Sequence, residues 1–175
     1  MSTPSKRYPL LVRCVHWSSV ALVLAAYLTG DAAEHIGPSN TGANVHVLAG
    51  LLLLVLFPLH VLGLRMRRAA GLAMTPASRA ERLAALTIHL ALLTFLVVQP
   101  TLGILSLWAD GDPLPIPFTA WVLSPPIGMQ TGAGDVLHEL HEVIGNVFYG
   151  VIGLHIIAAL WHQLVRRDGL LRRMV

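Results

Sequence analysis

The 175 residues are 55% hydrophobic and only 12% charged, with a mean hydropathy of +0.67, which excludes an ordinary soluble domain and describes an integral membrane protein. The formal net charge of +3 comes with no nucleic-acid-binding motif, so nucleic acid is excluded as a partner. Cys14 is the single cysteine, which excludes a disulfide framework, a cysteine zinc cluster and a C-x-x-C-H attachment motif.

In chain order, Met1 to Pro9 is a polar, basic lead-in to four apolar stretches: Val12 to Gly30, Val45 to Leu64, Leu83 to Leu107 and Val136 to Val165. Each is long enough to cross ~30 Å of hydrocarbon. The expected fold is all-α, an integral membrane four-helix bundle forming a single unit over residues 1–175. The first span contains His16 and lacks a small-residue cleavage site, so it is expected to stay attached. All twelve basic residues fall on one side of this scheme: Lys6, Arg7 and Arg13; Arg65, Arg67, Arg68, Arg79 and Arg82; Arg166, Arg167, Arg172 and Arg173. The positive-inside rule then makes both termini cytoplasmic. Asp31, Glu34, Asp110, Asp112, Asp135, Glu139 and Glu142 face outward.

Span one carries Arg13, His16 and Trp17 at its inner end, where Trp and Arg suit a membrane interface. Taken alone, His16 reads equally well as an interfacial residue or a ligand. The loop Asp31 to Asn44 is rich in Gly, Asn, Pro and Ser, a turn region without an element of its own. Span two opens on His46, and His60 follows fourteen residues later behind Pro58, an expected kink. The arginine-rich loop Arg65 to Arg82 is a topology determinant, with Met74 to Ser78 marking a linker and a helix start. Span three has His89 near its inner end and a bend expected at Gln99-Pro100.

The connection Trp108 to Gly134, with five prolines and the apolar Phe118, Trp121 and Val122, is long enough to be a lid or binding surface. Its aromatics are expected on the bilayer surface. Asp135, Glu139 and Glu142 open span four, where acids stabilise a helix N-terminus. The block His138-Glu139-Leu140-His141-Glu142 lacks the H-E-x-x-H register of a zinc protease.

Span four repeats the spacing of span two, because His155 follows His141 by fourteen residues. Along a helix this separates two imidazoles by about 21 Å and returns them to nearly the same face. An ionisable side chain in an apolar span costs about 2 kcal/mol or more unless something pairs with it. Two facing helices with this spacing would build two bis-histidine sites, one near each surface, suited to haem iron. His162 then lands at the inner membrane edge. Gly50 and Gly145 each follow a histidine by one turn, where a missing side chain lets a macrocycle approach the backbone; small residues also serve ordinary helix packing in membranes.

With these residues assembled, the chain resembles the bacterial cytochrome b561 family of four-helix dihaem membrane proteins over nearly its whole length. The resemblance rests on Val15-His16-Trp17, on His46, on the run from His141-Glu142 through Gly150-Val151-Ile152-Gly153-Leu154-His155, and on Arg167-Asp168-Gly169-Leu170-Leu171. It implies an inner haem held by His16 and His155 and an outer haem held by His46 and His141. At His60 relatives commonly carry Arg; spacing alone makes His60 the rival inner ligand, and the alternative is a place beside a haem propionate.

The implied cofactors are two non-covalent haem b groups with bis-histidine ligation, which leaves iron no open position and points to outer-sphere electron transfer. The resemblance implies a cytoplasmic-side quinone site; His162 and His89 lie near that end and could exchange protons with quinone. The expected function is electron transfer between quinone and a periplasmic partner, across a bacterial inner membrane. The first alternative is a superoxide:ubiquinone oxidoreductase (superoxide oxidase), and whether the chain is an enzyme in its own right stays open. A different class is a histidine-lined metal or proton transporter, for which the H-E-L-H-E block is the only specific hint. The outer loops contain no Lys or Arg, a surface that repels superoxide and suits a basic partner such as a small cytochrome c.

Overall fold

A computed structural model describes residues 7–36, 39–69, 78–126 and 133–175. Four helices account for most of them: α1 Leu10–Leu28, α2 Thr41–Ala69, α3 Arg79–Ala109 and α4 Gly134–Trp161. A π-helical turn, His162–Arg166, extends the last one. Each of the four is long and apolar enough to cross a membrane, and the protein is a membrane four-helix bundle. Leu24, Val147 and Ile157 are exposed, as expected of side chains that face lipid.

Local chemistry sets the ends. Pro9 precedes α1 with extended backbone, and α3 begins in a capping box in which Ser78 and Glu81 satisfy each other's backbone N–H groups. That is the helix start expected in the arginine-rich loop; Met74 to Ala77 lie outside the described residues. Pro58 and Pro100 fall inside α2 and α3. Span four ends at Arg167, which adopts left-handed backbone with φ 52°.

Close backbone approach joins α1 to α2, α2 to α3 and α3 to α4. Between α3 and α4, Phe95 stacks on Phe148 with ring centroids 4.1 Å apart. The seam between α1 and α4 is closed by side chains: Tyr27 lies 4.3 Å from the Tyr149 ring, and its hydroxyl donates to the Gly145 carbonyl at 2.7 Å.

At one end of the bundle the chain is laced across this seam. The Tyr8 N–H donates to the Arg173 carbonyl at 2.9 Å and the Trp17 indole to the Met174 carbonyl at 2.8 Å, while at the same end Arg166 reaches α3 and pairs with Glu81 at 2.9 Å. The described arginines gather at this end.

At the other end the structure differs from the sequence reading. A short 3-10 helix, Asp31–His35, forms where only a turn region is expected. It is held by the Ala33 N–H on the Gly30 carbonyl and by the Asn40 amide, which donates to the carbonyls of Ala32 and His35. The long connection carries a two-stranded antiparallel hairpin, β1 Leu114–Pro115 and β2 Val122–Leu123. Trp121, at 78% exposure, and Phe118 project from it, while the Phe118 N–H donates to Asn44.

Candidate functional site

The up-and-down bundle brings the histidines together in two groups at opposite ends. His16, early in α1, faces His155, late in α4, with ring centroids 6.4 Å apart. His46, early in α2, faces His141, early in α4, at 6.0 Å.

The pair His46 and His141 is braced from behind. His46 donates from Nδ1 to the Ala26 carbonyl of α1, and His141 from Nδ1 to the Gln99 carbonyl of α3, each at 2.9 Å. Placing the proton on Nδ1 leaves Nε2 of each ring as the lone-pair nitrogen. Gln99 holds His141 a second time, because its side-chain amide donates to the His141 carbonyl at 2.6 Å. Gly103 completes the support: a Cβ there would stand 3.3 Å from Cε1 of His141.

Gly50 and Gly145 share a cavity of about 730 Å³ with His46, His141, Gln99 and Gly103, a volume in the usual range for cofactor sites. Their missing side chains also admit α3, since a Cβ at Gly50 would meet Pro100 at 3.3 Å and one at Gly145 would meet Gln99 at 3.1 Å. Asp31, Glu34, Asp110, Asp112, Asp135 and Glu142 line the same cavity.

Around the pair His16 and His155 stand two more imidazoles. His89 of α3 lies edge-on to His155 with centroids 5.4 Å apart, its Nδ1 donating to the Ala85 carbonyl at 2.5 Å. His60 donates from Nδ1 to the Leu56 carbonyl of its own helix at 3.2 Å and lies close enough to His16 to interact with its charge. Past the end of α4, His162 Nδ1 sits 2.5 Å from Asp168 Oδ2. Burial would push the Asp168 carboxyl up, but the bond from His162, the Leu170 N–H and the nearby Arg166 together hold it below its ordinary value.

Sequence reasoning singled out the histidines and missed their supports. Gln99 was legible only as half of a bend, Gly103 and Ala26 carried no signal, and Asp168 stood in a recognised segment without a role. A metal-bound histidine needs an acceptor for its second nitrogen, but which carbonyl supplies it is decided by packing between helices.

A family model described as prokaryotic cytochrome b561 matches residues 7–175. The chain belongs to the prokaryotic cytochrome b561 family. As a member it is a multi-pass membrane cytochrome that binds b-type haem. Among its relatives, a cytochrome b562 of Cereibacter sphaeroides is 29% identical over 99% of this chain and 98% of the relative. A probable superoxide oxidase, CybB, of Yersinia pestis is 28% identical over 97% of this chain and 96% of that protein.

The residues of this cytochrome b561 fit such a group. A metal about 2 Å from each of two imidazole nitrogens requires facing rings with centroids about 6 Å apart, the separation found in both pairs. Among the described residues no three His, Cys, Asp or Glu side chains are grouped to hold a metal ion, so an iron between either pair would take its remaining ligands from a macrocycle.

Proposed function

We propose that this cytochrome b561 holds two haem b groups by bis-histidine ligation, His16 with His155 and His46 with His141, and moves electrons across a bacterial inner membrane between quinone and a periplasmic partner. The observation that carries this reading is the pair of facing imidazoles at each end of the bundle, 6.4 and 6.0 Å apart. Bound between two imidazoles, each haem would supply one-electron outer-sphere transfer.

The rest is the work of the chain's own residues. Ala26 and Gln99 hold His46 and His141 in the tautomer that offers Nε2 inward. Phe148, midway between His141 and His155 on α4 and stacked on Phe95 of α3, keeps the path between the pairs in an apolar surround. Twelve basic residues on one side support cytoplasmic termini, which makes His16 and His155 the inner pair. Quinone chemistry requires protons at that end, and His162, oriented by Asp168 at 2.5 Å, is the group built to exchange them. His89 flanks the same end, and His60 neighbours His16 where a haem propionate would need a donor.

On the outer side, the acids lining the cavity around His46 and His141 favour a basic electron-transfer protein. Superoxide oxidation is the second reading, supported by the name of the Yersinia pestis relative; the acidic lining opposes an anionic substrate. A histidine-lined transporter would be colourless. The optical spectrum of purified protein therefore tests the main reading: b-type Soret and alpha bands with two haems per chain are expected, and a protein without them would overturn it.

A further inference from the structure

The two pairs differ in what stands behind them. His46 and His141 each rest on a backbone carbonyl of a neighbouring helix, a fixed neutral acceptor. The ring standing against His155 belongs instead to another histidine, His89, 5.4 Å away and edge-on at 87°.

His89 is exposed on α3, ten residues into a membrane-spanning helix, where an imidazole is costly unless it has a task. One nitrogen is accounted for, because its Nδ1 donates to the Ala85 carbonyl. With that proton committed, Nε2 is left as a hydrogen-bond acceptor. His155 has the complementary need. When one nitrogen of its ring binds iron, the other carries a proton and requires an acceptor, and that second partner normally sets ring orientation and ligand basicity. At 5.4 Å between centroids, a turn of the His155 ring, which leaves the His89–Ala85 bond in place, brings the two nitrogens into hydrogen-bonding reach.

We infer that His89 is a positioning residue for the inner haem: its Nε2 accepts the proton-bearing nitrogen of His155, making His155 a stronger electron donor to iron. This rests on the ligand assignment proposed above. The consequence is an inner haem whose potential is set lower by a side chain of α3, whereas the outer haem has only backbone acceptors behind its ligands. His89 then influences quinone chemistry through the haem potential rather than by touching quinone.

The test is a redox titration of the purified holoprotein and its His89→Ala and His89→Gln variants, with His155→Ala used to identify which haem is the inner one. His89→Ala is expected to keep both haems, to raise the inner midpoint potential and to leave the outer one in place. Glutamine, whose carbonyl can still accept, is expected to return the inner potential towards the parent value. An unchanged inner potential in His89→Ala overturns the inference. So does a rise that glutamine leaves uncorrected, which would mean packing, and so does loss of the inner haem, which would make His89 a ligand. If His155→Ala retains both haems, the ligand reading itself fails, a result distinct from all three.

Discussion

His141 is gripped from both sides by Gln99, whose backbone carbonyl accepts its Nδ1 hydrogen at 2.9 Å and whose side-chain amide donates to its carbonyl at 2.6 Å. A ring fixed in this way has no freedom to adjust, and Gly103 lies against it. A methyl group at 103 would press on Cε1 from 3.3 Å. Gly103→Ala should therefore weaken outer haem binding by about 1 to 3 kcal/mol, the usual cost of overpacking, while the inner haem is retained. Haem titration into the variant, followed by its optical spectrum, checks this; equal affinity for both haems would show that the site yields.

Removing ligands should separate the two sites. His141→Ala or His46→Ala should lose the outer haem, and His155→Ala or His16→Ala the inner one, each leaving about one haem per chain. His60→Ala should keep both haems and shift the inner potential. Pyridine haemochrome counts on the purified variants decide the matter, and loss of the inner haem in His60→Ala with its retention in His16→Ala would reverse the assignment.

For His162 and Asp168, the expectation combines kinetics with pH. His162→Ala should slow quinone reduction or quinol oxidation about tenfold to a hundredfold, within the range of a lost acid–base group, with the haem spectrum intact; His89→Ala should do so more weakly. The Asp168 carboxyl titrates below its ordinary value of 3.8, so the stabilisation from its bond to His162 is complete above about that pH and is lost only as pH falls through the lower, folded-state value. Asp168→Asn should accordingly speed amide exchange in Leu170 to Met174 at neutral pH, with the difference from the parent vanishing in strong acid. A difference that instead grew as pH fell would contradict the sign of this linkage.

The outer surface gives an ionic-strength prediction. Acids line the cavity at His46 and His141 and the outer loops hold no Lys or Arg, so superoxide should reduce the oxidised protein slowly, at a rate that climbs with salt as repulsion is screened. A basic cytochrome c should react faster at low salt. Stopped-flow traces at several salt concentrations distinguish these, and a rapid superoxide reaction that falls with salt would mean attraction.

Much of this molecule was readable in its residues because membrane physics is simple. Hydrocarbon thickness marked the four spans, and arginine placement marked which helix ends meet. The repeated spacing of His46 to His60 and His141 to His155 marked the two levels at which imidazoles gather. The same spacing made His60 as good a partner for His155 as His16, since depth says nothing about which helix stands opposite; in the structure it is His16 whose ring faces His155 at 6.4 Å. The 3-10 helix at Asp31–His35 was illegible because its stability comes from Asn40, whose amide reaches back across the turn. Gln99 as a brace was hidden for a similar reason: its two contacts span 42 residues.

The seam between the first and last helices has a consequence for biogenesis. Tyr8 and Trp17 are tied to Arg173 and Met174, so the strap that holds α1 against α4 cannot be buckled until residues 173 and 174 have emerged from the ribosome and reached the membrane surface. His46 and His141 need no such strap, being braced by Ala26 and Gln99, both of which precede His141 in the chain. Synthesis from the N-terminus thus imposes an order on maturation: the His46–His141 pair can take shape while α4 is still entering the bilayer, and the His16–His155 pair is the last to close.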